Sequence, residues 1–376
     1  MKKCAILTIN VELMNYGNRL QNFALQSALE KIGCDVETIN YHPSYPQIVN
    51  KSQRMGLLLW IKRIACGIKR RIISILVRRK QNNKKNKFNY FVKHYIKWSQ
   101  NEYNINSDLT VLGKSYDCFI CGSDQVWNPY WEGTNPIYYM DYVPVNKRAT
   151  YAVSFGVDKI PDNMKKYMAD KISNIDYLAC REDIGVHIIK EMTGKDAIQV
   201  IDPVFLLTRE EWNKLIIEPE MKMPRQKYVL VYFLGQLSKA QKDILEKIRI
   251  DKNLNIINLD RFGINSYYAE PREFLYFIKH AELVVTDSFH GIAFSIIFHK
   301  KIMYFNRSLD NGDCQDMSSR LVSIFKLFGY IKENNDLKTS YRIFDYFDEM
   351  KIDDIIEKER EKGYAYLRDV INCETS

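Results

Sequence analysis

The stretch ELVVTDSFHGIAFS, residues 282–295, decides how the chain is expected to fold. It predicts a short buried strand over residues 283–286 that runs directly into an apolar helix, with polar side chains at the junction. In an open α/β sheet such junctions lie at the carboxyl edge, where ligands bind and where helix N–H groups favour anions. A histidine in that first turn can donate to a bound anion or move a proton. The stretch therefore predicts a doubly wound sheet with His290 at its ligand-binding edge.

The residues around this stretch repeat the alternation of strand and helix. Strands are predicted at residues 228–235, 255–259, 283–286 and 301–305, and helices at residues 239–249, 271–280, 289–298 and 318–328. Short apolar runs bounded by polar turns are typical of parallel strands that helices cover on both faces. Residues 226–340 are therefore predicted to form a C-terminal Rossmann-like domain.

The first part of the chain has the same pattern. Strands are predicted at residues 3–10, 36–41, 116–121, 149–155, 175–180 and 198–201. Residues 1–218 are therefore predicted to form an N-terminal Rossmann-like domain, followed by an exposed linker. The tail, residues 341–376, is predicted to be helical and to pack back on the first domain. Together these elements predict an α/β fold with two doubly wound domains in a GT-B-like arrangement.

Length and composition limit the class of protein. A chain of 376 residues is long enough for two domains, and a mean hydropathy of −0.34 is that of a globular protein. No apolar run approaches the ~20 residues of a membrane-spanning helix, and no secretion signal is recognised, so a cytoplasmic location is predicted. Cys118 and Cys121 form a CxxC inside a strand-like run and are interpreted as buried core thiols. No metal site is predicted.

The positive charge is concentrated in a predicted helical insertion at about residues 51–100. Residues 51–97 contain 15 Lys and Arg and no acid, and subtracting 15 from the formal net charge of +9 leaves −6 for the rest. This distribution argues against a nucleic-acid-binding surface spread over the molecule. Residues 57–77 have the pattern of a basic amphipathic helix. It is either a core-packed helix with a solvated basic face or a weak, peripheral docking element for anionic membrane.

Several short motifs resemble those of the polysaccharide pyruvyl transferase family. In chain order they are NYGNRLQ at 15–21, CGSDQVWN at 121–128, SFG at 154–156, RE at 181–182, DP at 202–203, DSFHG at 287–291 and SSRL at 318–321. Their order and spacing are more specific than any one of them. The resemblance implies a GT-B-like fold, with residues 1–218 on the acceptor side and residues 226–340 on the donor side. It also implies a cytoplasmic enzyme of capsule or exopolysaccharide biosynthesis. It would transfer pyruvate from phosphoenolpyruvate, with no cofactor, to a free or lipid-linked saccharide, forming a ketal with two hydroxyls.

That chemistry needs cationic groups for the donor and acid/base groups for proton transfer. His290, Asp124 and Glu182 are the candidate catalytic residues, with His290 as phosphate ligand or acid/base group. Trp127 would stack on a sugar ring, and Arg181 and Arg320 would grip the donor. The candidate substrate-binding residues are Asn15, Gly17, Asn18, Gln125, Trp127, Ser154, Arg181, Gly235, Asp287, Ser288 and Arg320.

One position departs from the family pattern. Family members have an arginine two residues before this histidine, whereas this chain has Ser288. If phosphoenolpyruvate is the donor, then Arg320, Arg261 or Arg181 must supply the missing cation. Taken alone, Ser288 is more typical of a helix N-cap than of a ligand.

For other positions the residues leave a structural interpretation open. Asn15 and Gly17 could form the turn that starts the first crossover helix, and Arg181–Glu182 could be a salt-bridged helix start. Asp202–Pro203 is interpreted as structural, ending the sheet of the first domain. Two other functions also fit the motifs: a GT-B glycosyltransferase using a nucleotide sugar, and a non-catalytic glycan-binding protein with the same fold.

Overall fold

A computed structural model describes residues 1–10, 15–42, 83–131, 133, 135–235, 237–259, 265–305, 318–331, 341–344 and 348–372. The amphipathic helix predicted over residues 57–77 lies outside these residues, as does Arg261. Of the predicted insertion, the described part is a helix, α2, over residues 83–95, followed by a strand.

Parallel strands form the sheet of the first domain. Its strands are β1 (Lys3–Leu7), β2 (Asp35–His42), β3 (Trp98–Asn104), β4 (Cys118–Cys121) and β5 (Arg148–Thr150). Within the described residues their order is β3-β2-β1-β4-β5. Isolated bridges from residues 149 and 153 continue the sheet toward β6 (Ala179–Cys180), which pairs with β7 (Ile198–Gln199). The order reverses at β1, so ligands are expected where its carboxyl end meets that of β4.

Helices cover both faces of this sheet. They are α1 (Tyr16–Lys31), α2, α3 (Leu112–Ser115), α4 (Asp162–Ile172), α5 (Asp183–Thr193) and α6 (Arg209–Leu215). Cys118 and Cys121 of β4 are both buried, but they belong to apolar clusters on opposite faces of the sheet. The CxxC is therefore part of the core, as predicted, and burial raises the pKa of Cys121 well above its ordinary value.

The second domain is built on a mostly parallel sheet. Its strands are β8 (Tyr228–Tyr232), β9 (Asn255–Asn258), β10 (Leu283–Thr286), β11 (Lys301–Phe305) and β12 (Tyr341–Phe344). Among the described residues the order is β12-β11-β10-β8-β9, with β12 antiparallel to β11. Its helices are α7 (Lys239–Asp251), α8 (Pro271–His280), α9 (Phe289–Ile297) and α10 (Ser318–Leu327). Strand β10 lies in the middle of the sheet, as the opening stretch predicts.

The two domains pack closely against each other. Residues 216–227, between the last helix of the first domain and β8, form neither helix nor strand. The ring of Tyr16 in α1 stacks on Phe274 of α8 with centroids 4.5 Å apart, and its hydroxyl donates to the carbonyl of Ala269 at 3.2 Å. Trp212 of α6 meets Phe294 of α9 edge to face at 4.9 Å. One buried apolar cluster therefore spans both domains.

The last helix, α11 (Glu349–Asn372), packs on the first domain. The hydroxyl of Tyr366 donates to the carbonyl of Thr150 at 2.8 Å, and Lys2 donates to the carbonyl of Ile371. Two doubly wound domains and a returning C-terminal helix give the GT-B-like arrangement, so the predicted fold class is confirmed. In the described part of the chain, no helix is both long and apolar enough to cross a membrane.

Candidate functional site

His290 lies in the first turn of α9, at the carboxyl end of the central strand β10. Ser288 is the N-cap of this helix: its Oγ accepts from the N–H of Gly291 at 3.4 Å. The N–H of Ser288 donates to Oγ1 of Thr286 at 3.0 Å. Gly291 is also required for packing, because a β-carbon there would lie 2.6 Å from Oγ1 of Thr286. The sequence SFHG therefore forms a tight strand-to-helix turn with Ser288 as its cap.

Asp287, beside it, has a structural role in this conformation. Its carboxylate accepts from the backbone N–H of Leu234 at 2.7 Å and of Gly235 at 3.0 Å. These bonds fix the loop that follows β8 against the end of β10. The carboxylate of Asp287 and the N–H of Gly235 are thus bonded to each other. This bond argues against the direct substrate contacts that were expected of both residues.

The turn that starts α1 lies directly against His290. Asn15 is the N-cap of α1, and its side-chain oxygen accepts from the N–H of Asn18 at 3.2 Å. A β-carbon on Gly17 would lie 2.1 Å from Nδ1 and 2.3 Å from Cγ of His290. Only glycine allows this approach without displacing the ring. Asn15 and Gly17 therefore build the turn, and the turn forms one wall around His290.

A buried ionic cluster lies on the other side of His290. Arg181, which follows β6, donates through Nη1 to Oδ2 of Asp202 at 2.9 Å, and through Nε and Nη2 to Oε1 of Glu182 at 3.3 Å. Its guanidinium stacks on Phe289, 4.1 Å from the ring centroid. Nε2 of His290 lies 3.7 Å from Oδ2 of Asp202. Arg181 is therefore held by two carboxylates and positions them, instead of gripping a donor as expected.

Two serines complete this cluster. Oγ of Ser123 donates to Oδ2 of Asp202 at 2.9 Å, and Oγ of Ser154 donates to Oε1 of Glu182 at 2.5 Å. Both serines are fully buried. Ser154 is thus a support for Glu182 in this conformation, and a substrate contact would need that bond to change.

Neighbouring charges shift two pKa values in the cluster. Burial alone would raise the pKa of Asp202, but the cations of His290 and Arg181 outweigh it and hold that pKa well below the usual range. Burial alone would lower the pKa of Arg181, but Glu182 and Asp202 raise it above its ordinary value. Such opposite shifts are expected of a buried ion pair, in which each charge stabilises the other.

His290 itself has one polar atom that is not satisfied within the described residues. Nε2 is buried and has no hydrogen-bond partner there, because the 3.7 Å separation from Asp202 exceeds hydrogen-bond length. The side chain is 9% exposed. A buried polar atom without a partner is unusual, and at a strand end it indicates a ligand position.

Asp124, which follows β4, contacts the same turn of α1 against which His290 packs. Its backbone has a positive φ of 78°, and its Oδ2 accepts from Nδ2 of Asn18 at 3.3 Å. Asn18 is adjacent to Gly17, the residue that contacts His290. The structure thus brings Asp124, Asn18 and His290 together around the N-terminus of α1.

Gln125 links the first domain to Arg320 of α10. With its side-chain oxygen directed at the guanidinium, Gln125 accepts from Nη1 at 2.7 Å and from Nη2 at 3.3 Å. Arg320, Arg181, Asp202 and Phe289 line a common cavity of about 60 Å³. Arg320 therefore lies next to the ionic cluster, at the interface between the domains.

The expected sugar-stacking role of Trp127 does not fit its position. The indole is fully buried, stacks on Tyr139 with the rings 5.8 Å apart, and donates through Nε1 to the carbonyl of Tyr138 at 3.3 Å. Neither face of the ring is open to a ligand. Trp127 belongs to the core beneath the loop, whereas Trp131, further along the same loop, is 49% exposed.

Asp202 and Ser123 also belong to the site, although neither is among the site residues predicted from the sequence. Asp202 does cap a short helical turn, accepting from the N–H of Val204 at 3.1 Å, which agrees with its structural interpretation. Its second oxygen, however, joins Arg181 and Ser123 beside His290. Asp202 directly follows a predicted strand and Ser123 comes two residues after another, at the same sheet edge, and that position was the signal that could have identified them.

Comparison with known proteins agrees with the motif order. A sequence profile described as polysaccharide pyruvyl transferase matches residues 15–308. No match was found among curated proteins.

The chain is also similar, at low sequence identity, to several solved structures. The Staphylococcus aureus protein MnaA in its co-structure with UDP has a TM-score of 0.47 and 10% identity, covering 100% of this chain and 98% of that chain. UDP-GlcNAc 2-epimerase from Methanocaldococcus jannaschii has a TM-score of 0.43 and 14% identity, covering 95% and 99%. Arabidopsis thaliana UGT89C1 has a TM-score of 0.44 and 10% identity, covering 98% and 93%.

Proposed function

The chain belongs to the polysaccharide pyruvyl transferase family and is a transferase acting on glycans, and from this premise we propose that it transfers pyruvate from phosphoenolpyruvate to two hydroxyls of a saccharide. The observation that carries the proposal is the buried Nε2 of His290, which lies between the domains without a hydrogen-bond partner among the described residues. The site combines that proton carrier with a helix N-terminus and a guanidinium at one sheet edge.

The phosphate of the donor would lie at the N-terminus of α9. The first N–H groups of a helix lack intrahelical acceptors and favour an anion. Arg320, which lines the adjacent cavity, is the cation best placed to assist. It would take the part of the arginine that Ser288 replaces, since Arg181 is held by Asp202 and Glu182.

The reaction requires two additions at C2 of phosphoenolpyruvate. One sugar hydroxyl adds to C2 while C3 accepts a proton and becomes a methyl group. The second hydroxyl then attacks C2, the bond from C2 to the phosphate oxygen breaks, and phosphate leaves. Of the two hydroxyl protons released, one balances the new methyl group and the other the departing phosphate.

His290 would act as the acid that protonates C3, and Asp124 as the base that accepts a hydroxyl proton. Both lie at the N-terminal turn of α1, His290 against Gly17 and Asp124 bonded to Asn18. Asp202, whose Oδ2 lies 3.7 Å from Nε2 of His290, would position the imidazole ring. Glu182 would act through Arg181 as a positioning residue.

The test is turnover with a defined pair of substrates. The full chain is incubated with phosphoenolpyruvate and a panel of free and lipid-linked sugars, while phosphate release and the mass of the acceptor are followed. We expect phosphate release coupled to the mass gain of one pyruvate ketal. We expect His290→Gln to lose at least 100-fold in rate, the usual minimum for a general acid. The matched control is His280→Gln, an exposed histidine of α8.

Two results would overturn the proposal. A thermal shift with UDP or GDP and none with phosphoenolpyruvate would favour a nucleotide-sugar glycosyltransferase. Saccharide binding without turnover, unchanged in His290→Ala, would favour a non-catalytic glycan-binding protein.

A further inference from the structure

The loop that follows β4 buries its polar side chains and exposes its largest aromatic ones. Ser123, Gln125 and Asn128 are at most 4% exposed, whereas Tyr130 is 64% and Trp131 49% exposed. This is the reverse of the usual preference, in which polar side chains face water. We refer to Tyr130 and Trp131 as the aromatic pair. Adjacent exposed apolar groups rimmed by polar ones are typical of binding surfaces.

Hydrogen bonds fix the backbone that carries the aromatic pair. The carbonyl of Asn128 accepts from the N–H of Trp131 at 3.1 Å and from that of Gly133 at 2.7 Å. Its side-chain oxygen accepts from the N–H of Tyr130 at 3.0 Å. A β-carbon on Gly133 would lie 2.6 Å from the carbonyl oxygen of Asn128, so the turn requires glycine there. A pre-ordered turn lowers the entropy cost of binding a ligand.

The same loop connects the aromatic pair to the His290 site. The N–H of Asn128 donates to the carbonyl of Gln125 at 3.1 Å, and the side chain of Gln125 accepts from Arg320 at 2.7 Å. Two hydrogen-bonded turns therefore join Gln125 to Trp131. Each such turn spans less than about 7 Å between Cα atoms, so these two residues lie within about 14 Å. Neither residue of the pair is among the described residues that line the cavity at Arg320.

The loop also stays at the ligand-binding edge of the first sheet. It begins at the carboxyl end of β4. Beyond the aromatic pair, Oδ1 of Asn135 accepts from the hydroxyl of Tyr41, near the carboxyl end of β2, at 3.2 Å. The pair lies between these two attachment points. It is therefore placed beside the site and outside the cavity at Arg320.

The charge around the aromatic pair favours a saccharide over an anionic membrane surface. Residues 115–146 contain four acidic residues and no Lys or Arg. Docking on anionic membranes depends on clusters of Lys and Arg, which this segment lacks. Tyr and Trp instead offer a rigid, flat face with a polar edge, a combination suited to a sugar ring with its apolar C–H face and its hydroxyls.

We propose that the aromatic pair binds a sugar of the acceptor next to the one that receives pyruvate, so that the acceptor is a saccharide of at least two sugars. The inference rests on the proposed function and assigns its acceptor class. Trp131 stacks on the apolar face of that neighbouring sugar, and Tyr130 widens the contact. The pair takes the stacking role that the buried Trp127 does not fill.

A binding experiment with the full chain tests the proposal. The probes are a printed array of mono-, di- and trisaccharides of glucose, galactose, mannose and N-acetylglucosamine. We expect the best di- or trisaccharide to bind about tenfold more tightly than any monosaccharide. In calorimetric titration with that saccharide, Trp131→Ala should weaken binding about tenfold, as truncation of an aromatic anchor does. Trp131→Phe keeps an aromatic face and should retain most of the affinity, and Tyr90→Ala, at an exposed tyrosine of α2, is the control.

Turnover distinguishes a binding role of Trp131 from a structural one. With phosphoenolpyruvate and the same saccharide, Trp131→Ala should raise the KM of the saccharide about tenfold and leave kcat unchanged, because the ring contacts none of the reacting atoms. The KM of the corresponding monosaccharide should not change. A misfolded variant would instead lose kcat with every acceptor.

Four outcomes would overturn the inference. They are the absence of any saccharide binding, monosaccharides bound as tightly as longer saccharides, equal affinities of Trp131→Ala and Tyr90→Ala, and a Trp131→Ala variant that loses only its co-sedimentation with phosphatidylcholine vesicles. The last would make the aromatic pair a membrane contact. Failure of the proposed function gives a different result: saccharide binding still depends on Trp131, but no variant or wild type releases phosphate from phosphoenolpyruvate.

Discussion

Gly17 and His290 meet across the two domains with no space for another atom between them. A β-carbon on Gly17 would come within 2.1 Å of Nδ1 and 2.6 Å of Cβ of the histidine. The orientation of the imidazole is thus set jointly by a glycine of the first domain and a carboxylate, Asp202, on its other side. Correct docking of the domains is therefore a condition for a correctly placed His290.

Gly17→Ala should reduce activity without unfolding the protein. Alanine favours the helix, but its methyl group must push the His290 ring away or separate the domains. We expect kcat/KM for phosphate release to fall at least tenfold, equivalent to about 1.4 kcal/mol. The control is Gly113→Ala, where a β-carbon meets its nearest neighbour at an ordinary 3.5 Å. Equal activity in the two variants would contradict the close contact.

Asp202→Asn should destabilise the protein in a pH-dependent way. Removing one partner of a buried ion pair typically costs about 3–5 kcal/mol. Because the pKa of Asp202 is lowered on folding, its contribution is present above the unfolded value of about 3.9 and is lost as the pH falls below it. The free energy of unfolding in urea should therefore be lower for the variant than for the wild type at pH 7. This gap should narrow below about pH 4. Asp170→Asn, an exposed position, should show no gap.

Trp127→Phe should affect stability and leave saccharide binding unchanged. The smaller ring leaves a cavity and deprives the carbonyl of Tyr138 of its indole donor, a loss of about 1–3 kcal/mol. Thermal unfolding and calorimetric titration with a sugar measure the two effects separately. Trp131→Phe, at an exposed position of the same loop, should change the unfolding free energy by less than about 0.5 kcal/mol. Loss of sugar binding in a fully folded Trp127→Phe variant would instead support the prediction that Trp127 stacks on a sugar ring.

Gly363→Ala should loosen the last helix. A β-carbon there would lie 2.4 Å from the hydroxyl of Tyr151 and 2.8 Å from Cδ2 of Leu206. Overpacking of this kind costs about 1–3 kcal/mol, and the gain in helix propensity offsets at most about 1 kcal/mol. A lower denaturation midpoint is therefore expected for Gly363→Ala than for Glu361→Ala, an exposed substitution on the same helix. The reverse order would mean that α11 is not tightly packed.

Periodicity alone predicted the two doubly wound domains, because buried parallel strands and their covering helices have distinct patterns. It was less successful at strand ends and at sheet edges. The predicted strand over residues 149–155 is β5 (Arg148–Thr150), with Ala152 at a φ of 52°. The insertion predicted to be helical to about residue 100 has its described helix end at residue 95, and β3 begins at Trp98. The edge strand β3 depends on its pairing with β2. That pairing is a long-range contact, which the local sequence pattern does not reveal.

The polar residues of the site show a sharper limit on what the sequence can predict. Their convergence at one sheet edge could be predicted, but which of them would pair with each other could not. Arg181 was expected to bind the donor, and it is held by Asp202 and Glu182. Asp287 was expected to contact substrate, and it binds two backbone N–H groups. The bonding partners of Arg181 and Asp287 depend on which distant segments the fold brings together. The positions of strand ends, by contrast, can be predicted from the sequence itself.

The return of α11 to the first domain has a consequence for biosynthesis. The N-terminal part of a chain emerges from the ribosome first, and domains generally fold in the order in which they emerge. Here the sheet that contains β1 and β5 is covered by residues of the helix 349–372, which bonds to it through Tyr366 and Lys2. The first domain must therefore keep an apolar surface exposed until residues 349–372 have been made. A chaperone bound to the nascent chain would find its natural target on that surface.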